Sequence, residues 1–228
     1  RELAAWRRLS HMNIVSLLGT TTGFGRFEGM VSLWMKNGSL DVYLRTRIDV
    51  PLSKRLLWVE DIAEGLAYLH KHPVVHGDLT PLNVLIDDDE RAVLTDFGLS
   101  VILGGFNNLS VTYTDVKIGA LAWAAPELLS DSTDGVEQQN PTIPSDVYSF
   151  AWLMYLIFTG SHSWNMTGRT SGMSAILRAK SGQRPSRPDT IDTRYWSLIE
   201  ECWDQKPSSR PKISDVLLRL RKIAPAQR

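Results

Sequence analysis

VVHGDLTPLNVLI, residues 74–86, sets one histidine, one aspartate and one asparagine among valines, leucines and an isoleucine, and TDFGLS follows at 95–100. Asp78 and Asn83 stand five residues apart, and Asp96 stands thirteen beyond Asn83. Between Asn83 and Asp96 lie two short apolar runs, NVLI (83–86) and AVLT (92–95), joined by the acidic DDDER. Two strands closing a hairpin there would bring the three polar side chains to one end of it. DDDER lacks the glycine and the distant glutamate of a calcium loop, so it reads as a solvated hairpin turn.

The three residues suit one kind of chemistry. A carboxylate and an asparagine amide oxygen are hard donors of the sort Mg²⁺ accepts when it also holds substrate phosphates and water. A further free carboxylate can accept a proton from an attacking hydroxyl. Any one of the three alone would be an ordinary turn or cap residue; together, in this order, they form a candidate site.

Outward from this stretch, the pattern divides the chain in two. RELAAWRRLSHMNIVSLLG begins with helical spacing at Leu3, Trp6 and Leu9 and passes into IVSLLG, which reads as a strand. MVSLWM (30–35) is a second strand, and the turn-rich TTGFGRFEG between them predicts a hairpin. Its glycines at 23, 25 and 29 miss the spacing of a phosphate-cradling loop, and no helix follows. After Asn37-Gly38 the chain turns helical. Ser53 is a candidate cap for a long helix with Leu56, Val59, Ile62, Leu66 and Leu69 on one face. Residues 99–122 are polar and aperiodic, the length of a functional loop. From Ala125 onward helices predominate, interrupted by polar residues at 130–140 and a Gly/Pro-rich link at 181–188.

With 228 residues, 43% of them hydrophobic, the chain can bury a large core as one domain or two lobes. Twenty-five basic and 25 acidic side chains cancel, so no general attraction to nucleic acid or anionic membrane is expected. VYSFAWLMYLIF (147–158) is far short of the roughly 20 residues that span a bilayer and reads as a buried helix. Cys202 is the only cysteine, which excludes an intrachain disulfide and fits a reducing, cytoplasmic setting.

On five motifs taken in order, the chain resembles a eukaryotic protein kinase domain of the tyrosine-kinase-like group. HGDLTPLN (76–83) is similar to the catalytic-loop form H-R-D-L-x-x-x-x-N, and DFG stands at 96–98. AAPE (124–127) supplies an A-P-E, SDVYSF (145–150) resembles the start of the family's central helix, and CWDQKPSSRP (202–211) resembles its C-W…R-P ending. The resemblance implies an α+β, bilobal fold. Residues 1–36 would be what remains of an amino-terminal lobe, from helix to hinge, and 37–228 a mainly helical carboxy-terminal lobe. It implies ATP and Mg²⁺ as cofactors and transfer of the γ-phosphate to a protein substrate, to serine or threonine with tyrosine left open.

The same resemblance assigns roles. Asp78 would be the catalytic base, and Asn83 and Asp96 would hold Mg²⁺. Leu85 would floor the adenine, Ser32 would be the gatekeeper, Leu33 to Met35 would face the adenine edge, and Ser39 would approach the ribose. His76 would pack on Phe97, Glu127 and Arg210 would form a buried ion pair, and Asp146 would hold the catalytic-loop backbone. Glu2 matches the helix glutamate whose strand lysine, with the Gly-rich loop, would precede residue 1. A chain opening at Arg1 is therefore expected to be a piece of a longer kinase.

Four positions depart from the family. Gly77 replaces the arginine that reads activation-loop phosphate, so phosphorylation of Thr112, Tyr113 or Thr114 is expected to be unnecessary for activity. Thr80 stands where serine/threonine kinases place a lysine on the transferring phosphate. Leu82 supplies no arginine instead, and Ala120 lacks a usual hydroxyl. A pseudokinase scaffold or allosteric binding module is the alternative these losses leave open.

Overall fold

The computed structural model describes residues 6–23, 29–47, 49–97, 121–129, 140–160 and 169–223, with the backbone alone at 169–173 and 175. Strands β1 (Leu17–Thr21) and β2 (Gly29–Ser32) form an antiparallel hairpin, pairing Leu17 with Ser32 and Thr21 with Gly29, with a bulge between Leu17 and Gly19. The strand expected over IVSLLG thus starts three residues late, because the front of that run is used elsewhere. Ile14 makes a parallel bridge to Leu94, the Val15 amide donates to the Leu94 carbonyl at 2.9 Å, and Leu94 N–H returns a bond to Asn13 O at 2.9 Å. MVSLWM likewise leaves the sheet after Ser32, and Leu33 and Trp34 face solvent.

Helix α1 (Leu40–Thr46) is capped by Ser39, whose Oγ accepts from the Val42 amide. Helix α2 runs over Leu52–Lys71. Ser53 does not cap it. Pro51 occupies the cap position with φ −66°, and its carbonyl accepts from Lys54 and Arg55, which places Ser53 inside the first turn. Trp58, Val59, Ile62, Ala63, Leu66 and Leu69 form the buried face of α2, with Leu56 at its margin. Each such large side chain contributes about 1.5–3 kcal/mol by leaving water.

Strands β3 (Val84–Ile86) and β4 (Ala92–Leu94) pair antiparallel, Val84 with Leu94 and Ile86 with Ala92. The DDDER turn between them is the expected hairpin turn, with Asp88 and Asp89 exposed, and it is also a joint. Asp87 Oδ1 accepts from the amides of Asp89 and Arg91, and Glu90 takes a left-handed φ of 59°. Tyr43 Oη donates to Glu90 Oε1 at 2.7 Å and Trp58 Nε1 to the Glu90 carbonyl at 2.8 Å, which fastens the hairpin to α1 and α2.

Helix α3 (Ile143–Thr159) opens with a capping box between Thr142 and Ser145 and ends at Gly160, whose φ of 70° glycine adopts without strain. Every residue from Ser145 to Ile157 is buried, so α3 is the axis of the helical body. It packs against α2 and α5 (Thr193–Cys202), while α2 also meets α6 (Ile213–Ile223); α4 covers Arg169–Lys180. Trp152 and Trp203 lie in this core with ring centroids 5.0 Å apart. The fold is α+β, with helices and small antiparallel sheets. Among the described residues no helix is long and apolar enough to cross a membrane.

Candidate active site

The 74–83 segment has no regular structure of its own, so its shape depends on outside contacts. Asp146, in the first turns of α3, supplies the main one. Its Oδ2 accepts from the His76 amide at 2.8 Å and its Oδ1 from the Gly77 amide at 2.9 Å. Gly77 is thereby held at φ 78°, in the left-handed region that glycine tolerates. His76 is fully buried. Burial pushes its pKa down, against the opposing pull of Asp146, Asp78 and Asp96. Its Nδ1 accepts from the Asp78 amide at 3.3 Å, and its ring meets Phe97 edge-on at 6.2 Å between centroids. Phe97 in turn packs against Trp6 at 4.9 Å.

Asp78 and Asn83 touch directly. Asn83 Nδ2 donates to the Asp78 carbonyl at 2.8 Å and to Asp78 Oδ2 at 3.0 Å. With the amide nitrogen committed, the amide oxygen is the atom Asn83 has left to offer a cation. The Thr95 amide donates to the Asn83 carbonyl at 3.0 Å, so the β3–β4 pairing sets the next residue, Asp96, beside Asn83 at the open end of the hairpin. Asp96 is exposed and has φ 59°, a conformation that costs a non-glycine residue about 1–3 kcal/mol and clusters at working sites.

Among the described residues no group of three or more His, Cys, Asp or Glu side chains forms a ready-made metal cage. One carboxylate and one amide oxygen at an open edge fit a hard cation whose remaining ligands are phosphate and water, the mode Mg²⁺ favours. Thr80 is buried, its carbonyl accepting from the Asn83 amide at 3.0 Å, while Leu82 faces solvent. The loop therefore presents no cation of its own at either position.

The segment after β2 lies against β3. Ser39 bridges to Leu85, the Ile86 amide donates to the Gly38 carbonyl at 2.9 Å, and the Gly38 amide donates to Met35 O at 3.0 Å. This puts Met35, Ser39 and half-buried Leu85 along one edge leading to Asn83, whereas Leu33 points to solvent at 59% exposure. On the far side of α3, Arg210 grips Glu127 through two bonds of 2.7 and 2.8 Å. It also donates to Pro144 O and Asp204 O and lies over the Tyr148 ring. Glu2, Gly98, the 99–120 loop with Thr112 to Thr114, and Ala120 lie outside the described residues.

The contact of His70 Nε2 with Asp146 Oδ2, at 2.9 Å, was not legible in the sequence. No spacing rule links a residue in the last turn of one helix to the first turn of another 76 positions away.

A family model described as protein tyrosine and serine/threonine kinase matches residues 1–220. The chain is 29% identical over 224 residues to the RGS domain-containing serine/threonine-protein kinase A of Dictyostelium discoideum, covering 98% of this chain and 18% of that protein. It is 30% identical to the receptor-type guanylate cyclase gcy-5 of Caenorhabditis elegans, over 96% of this chain and 19% of the relative. It is 32% identical to human receptor-interacting serine/threonine-protein kinase 1, over 92% and 32% respectively. The chain thus spans a third or less of these relatives' lengths.

Proposed function

Because the chain belongs to the protein tyrosine and serine/threonine kinase family, we propose that the intact protein transfers the γ-phosphate of ATP to serine or threonine hydroxyls of protein substrates, with Asp78, Asn83 and Asp96 as the working set. The observation that carries this reading is the direct Asn83–Asp78 contact, with Asp96 brought alongside by the β3–β4 register. A chain of this family uses ATP and a divalent cation; the oxygen donors here favour Mg²⁺.

Asp78 accepts the proton of the substrate hydroxyl, and its bond from Asn83 keeps the carboxylate turned toward the attacking oxygen. Asn83 Oδ1 and the Asp96 carboxylate would hold Mg²⁺, which would neutralise charge developing on the transferring phosphate. Leu85 floors the adenine, Leu33 to Met35 meet its edge through backbone groups, and Ser39 meets the ribose. In this reading residues 1–36 belong to one lobe up to its hinge, and 37–228 form the other. The motif set favours the tyrosine-kinase-like group, and the lone, buried cysteine suits a cytoplasmic setting.

A second reading, a scaffold that binds nucleotide with little transfer, is favoured by one observation. Buried Thr80 and exposed Leu82 leave the loop without a cation on the transferring phosphate, and a missing stabiliser of that kind costs about 10²–10³ in rate. Asp78→Asn in the intact protein separates the two. As an enzyme it loses phosphate transfer while keeping Mg²⁺-dependent ATP binding; wild-type protein that binds ATP but transfers nothing supports the scaffold.

A further inference from the structure

We infer that Glu90, in the turn between β3 and β4, is a positioning residue for the nucleotide site, clamping the far end of α1 to the hairpin that starts at Asn83; what this means for ATP rests on the roles proposed for Ser39 and Leu85. At its start α1 is held by backbone pairing. Ser39 caps the helix and bridges to Leu85, and Asn37 Nδ2 donates to the Asp87 carbonyl at 2.7 Å. With seven residues, α1 is too short to hold its own course. Farther along, Tyr43 Oη donates to Glu90 Oε1 at 2.7 Å. Arg47, which ends the helix, lies 3.5 Å from the same oxygen and 4.5 Å over the Tyr43 ring. From α2, Lys54 approaches Glu90 Oε2 at 3.3 Å and Trp58 Nε1 donates to the Glu90 carbonyl at 2.8 Å, its ring meeting Tyr43 edge-on at 5.3 Å. One turn residue thus ties α1, α2 and the hairpin together.

Two features make Glu90 more than a turn residue. Its φ of 59° is one that glycine fills readily and glutamate seldom adopts, so what glutamate adds here is its carboxylate. That carboxylate also differs from its neighbours in the turn. Lys36 and Asp88 pair at 3.1 Å with side chains 65% and 66% exposed, and pairs so open contribute little. Glu90 instead takes a hydroxyl from buried Tyr43. Burial first, and then Glu90, push the Tyr43 pKa up, so the phenol keeps its proton and donates. The bonds from Tyr43 and Lys54 hold the Glu90 carboxyl below its usual pKa, so it accepts as an anion, the stronger kind of hydrogen bond.

The test measures affinity for ATP with Mg²⁺ by calorimetry, and kcat by phosphate transfer, in the intact protein as wild type, Glu90→Gly, Glu90→Gln and Tyr43→Phe. Glycine suits φ 59°, so a residue that only shaped the turn would be replaced without loss. The expected result is that Glu90→Gly weakens ATP binding about threefold to tenfold, the scale of one hydrogen bond, with kcat near wild type. Glu90→Gln, whose Oε1 still accepts from Tyr43, stays closer to wild type. Tyr43→Phe weakens binding as Glu90→Gly does, and the double variant loses no more than either alone. Wild-type affinity in Glu90→Gly, an equal loss in Glu90→Gln, or additive losses in the double variant overturn the inference. If wild type binds no ATP the proposed function fails, and amide exchange from Val42 to Thr46 decides the clamp alone: faster in Glu90→Gly sustains it, unchanged overturns it.

Discussion

The metal-holding role proposed for Asp96 rests on a single side chain in a left-handed backbone position. Asparagine tolerates that conformation better than most residues, so Asp96→Asn removes charge without moving the chain. We expect its melting temperature to stay near wild type. Mg²⁺-dependent ATP affinity should fall by at least the roughly 10–100-fold that losing an outer-shell partner costs; calorimetric titration with ATP and Mg²⁺ checks this. Cys202 gives a second prediction. Burial pushes its thiol pKa up to about 12, so at pH 8 it is almost wholly protonated as well as enclosed. A thiol reagent should leave Cys202 unmodified in folded protein and label it only on denaturation. Labelling at a native rate typical of a free thiol would contradict the packing of α5. At this scale the proposed roles of Asp78, Asn83 and Asp96 come from chemistry that restricts residue type, which a sequence displays directly. The sequence was misleading at Ser53, where the fixed φ of Pro51 took over the start of α2.

Among elements, α2 approaches the 11–15 segment closely. A Cβ at Gly65 would sit 2.7 Å from the Asn13 carbonyl oxygen and 3.1 Å from a Leu94 methyl. The backbone oxygen cannot yield, because it accepts from Leu94 N–H. Gly65→Ala should destabilise by about 1–2 kcal/mol, overpacking of about 1–3 kcal/mol being partly offset by the better helix former; the urea midpoint reports it. Helix periodicity made α2 and α3 readable, and alternating short runs made the β3–β4 hairpin readable. What stayed hidden was how these elements bind one another. Ile14 and Val15 read as strand but stitch onto Leu94, and the acidic turn is fastened by Tyr43 and Trp58, 47 and 32 residues before Glu90. Such contacts follow from three-dimensional proximity, which residue spacing does not encode.

Across the whole molecule, the start of α3 joins two anchors: Asp146 holds the His76 and Gly77 amides, and Pro144 O accepts from Arg210, which closes on Glu127. The Arg210 side chain is fully buried and the Glu127 side chain 13% exposed. Removing one partner of a buried pair costs about 3–5 kcal/mol. Arg210 keeps Pro144, Asp204 and the Tyr148 ring, so Glu127→Ala should sit near the lower end, about 3 kcal/mol, read from the urea midpoint of the intact protein. The order of the motifs made the architecture legible before any coordinate. The most direct test of the central claim is transfer of labelled γ-phosphate from ATP to protein by the intact wild type, with Asp78→Asn beside it and phosphoamino-acid analysis of the product. The account predicts Mg²⁺-dependent phosphoserine or phosphothreonine that Asp78→Asn abolishes; label that persists undiminished in Asp78→Asn, or no label with any protein substrate, would contradict it.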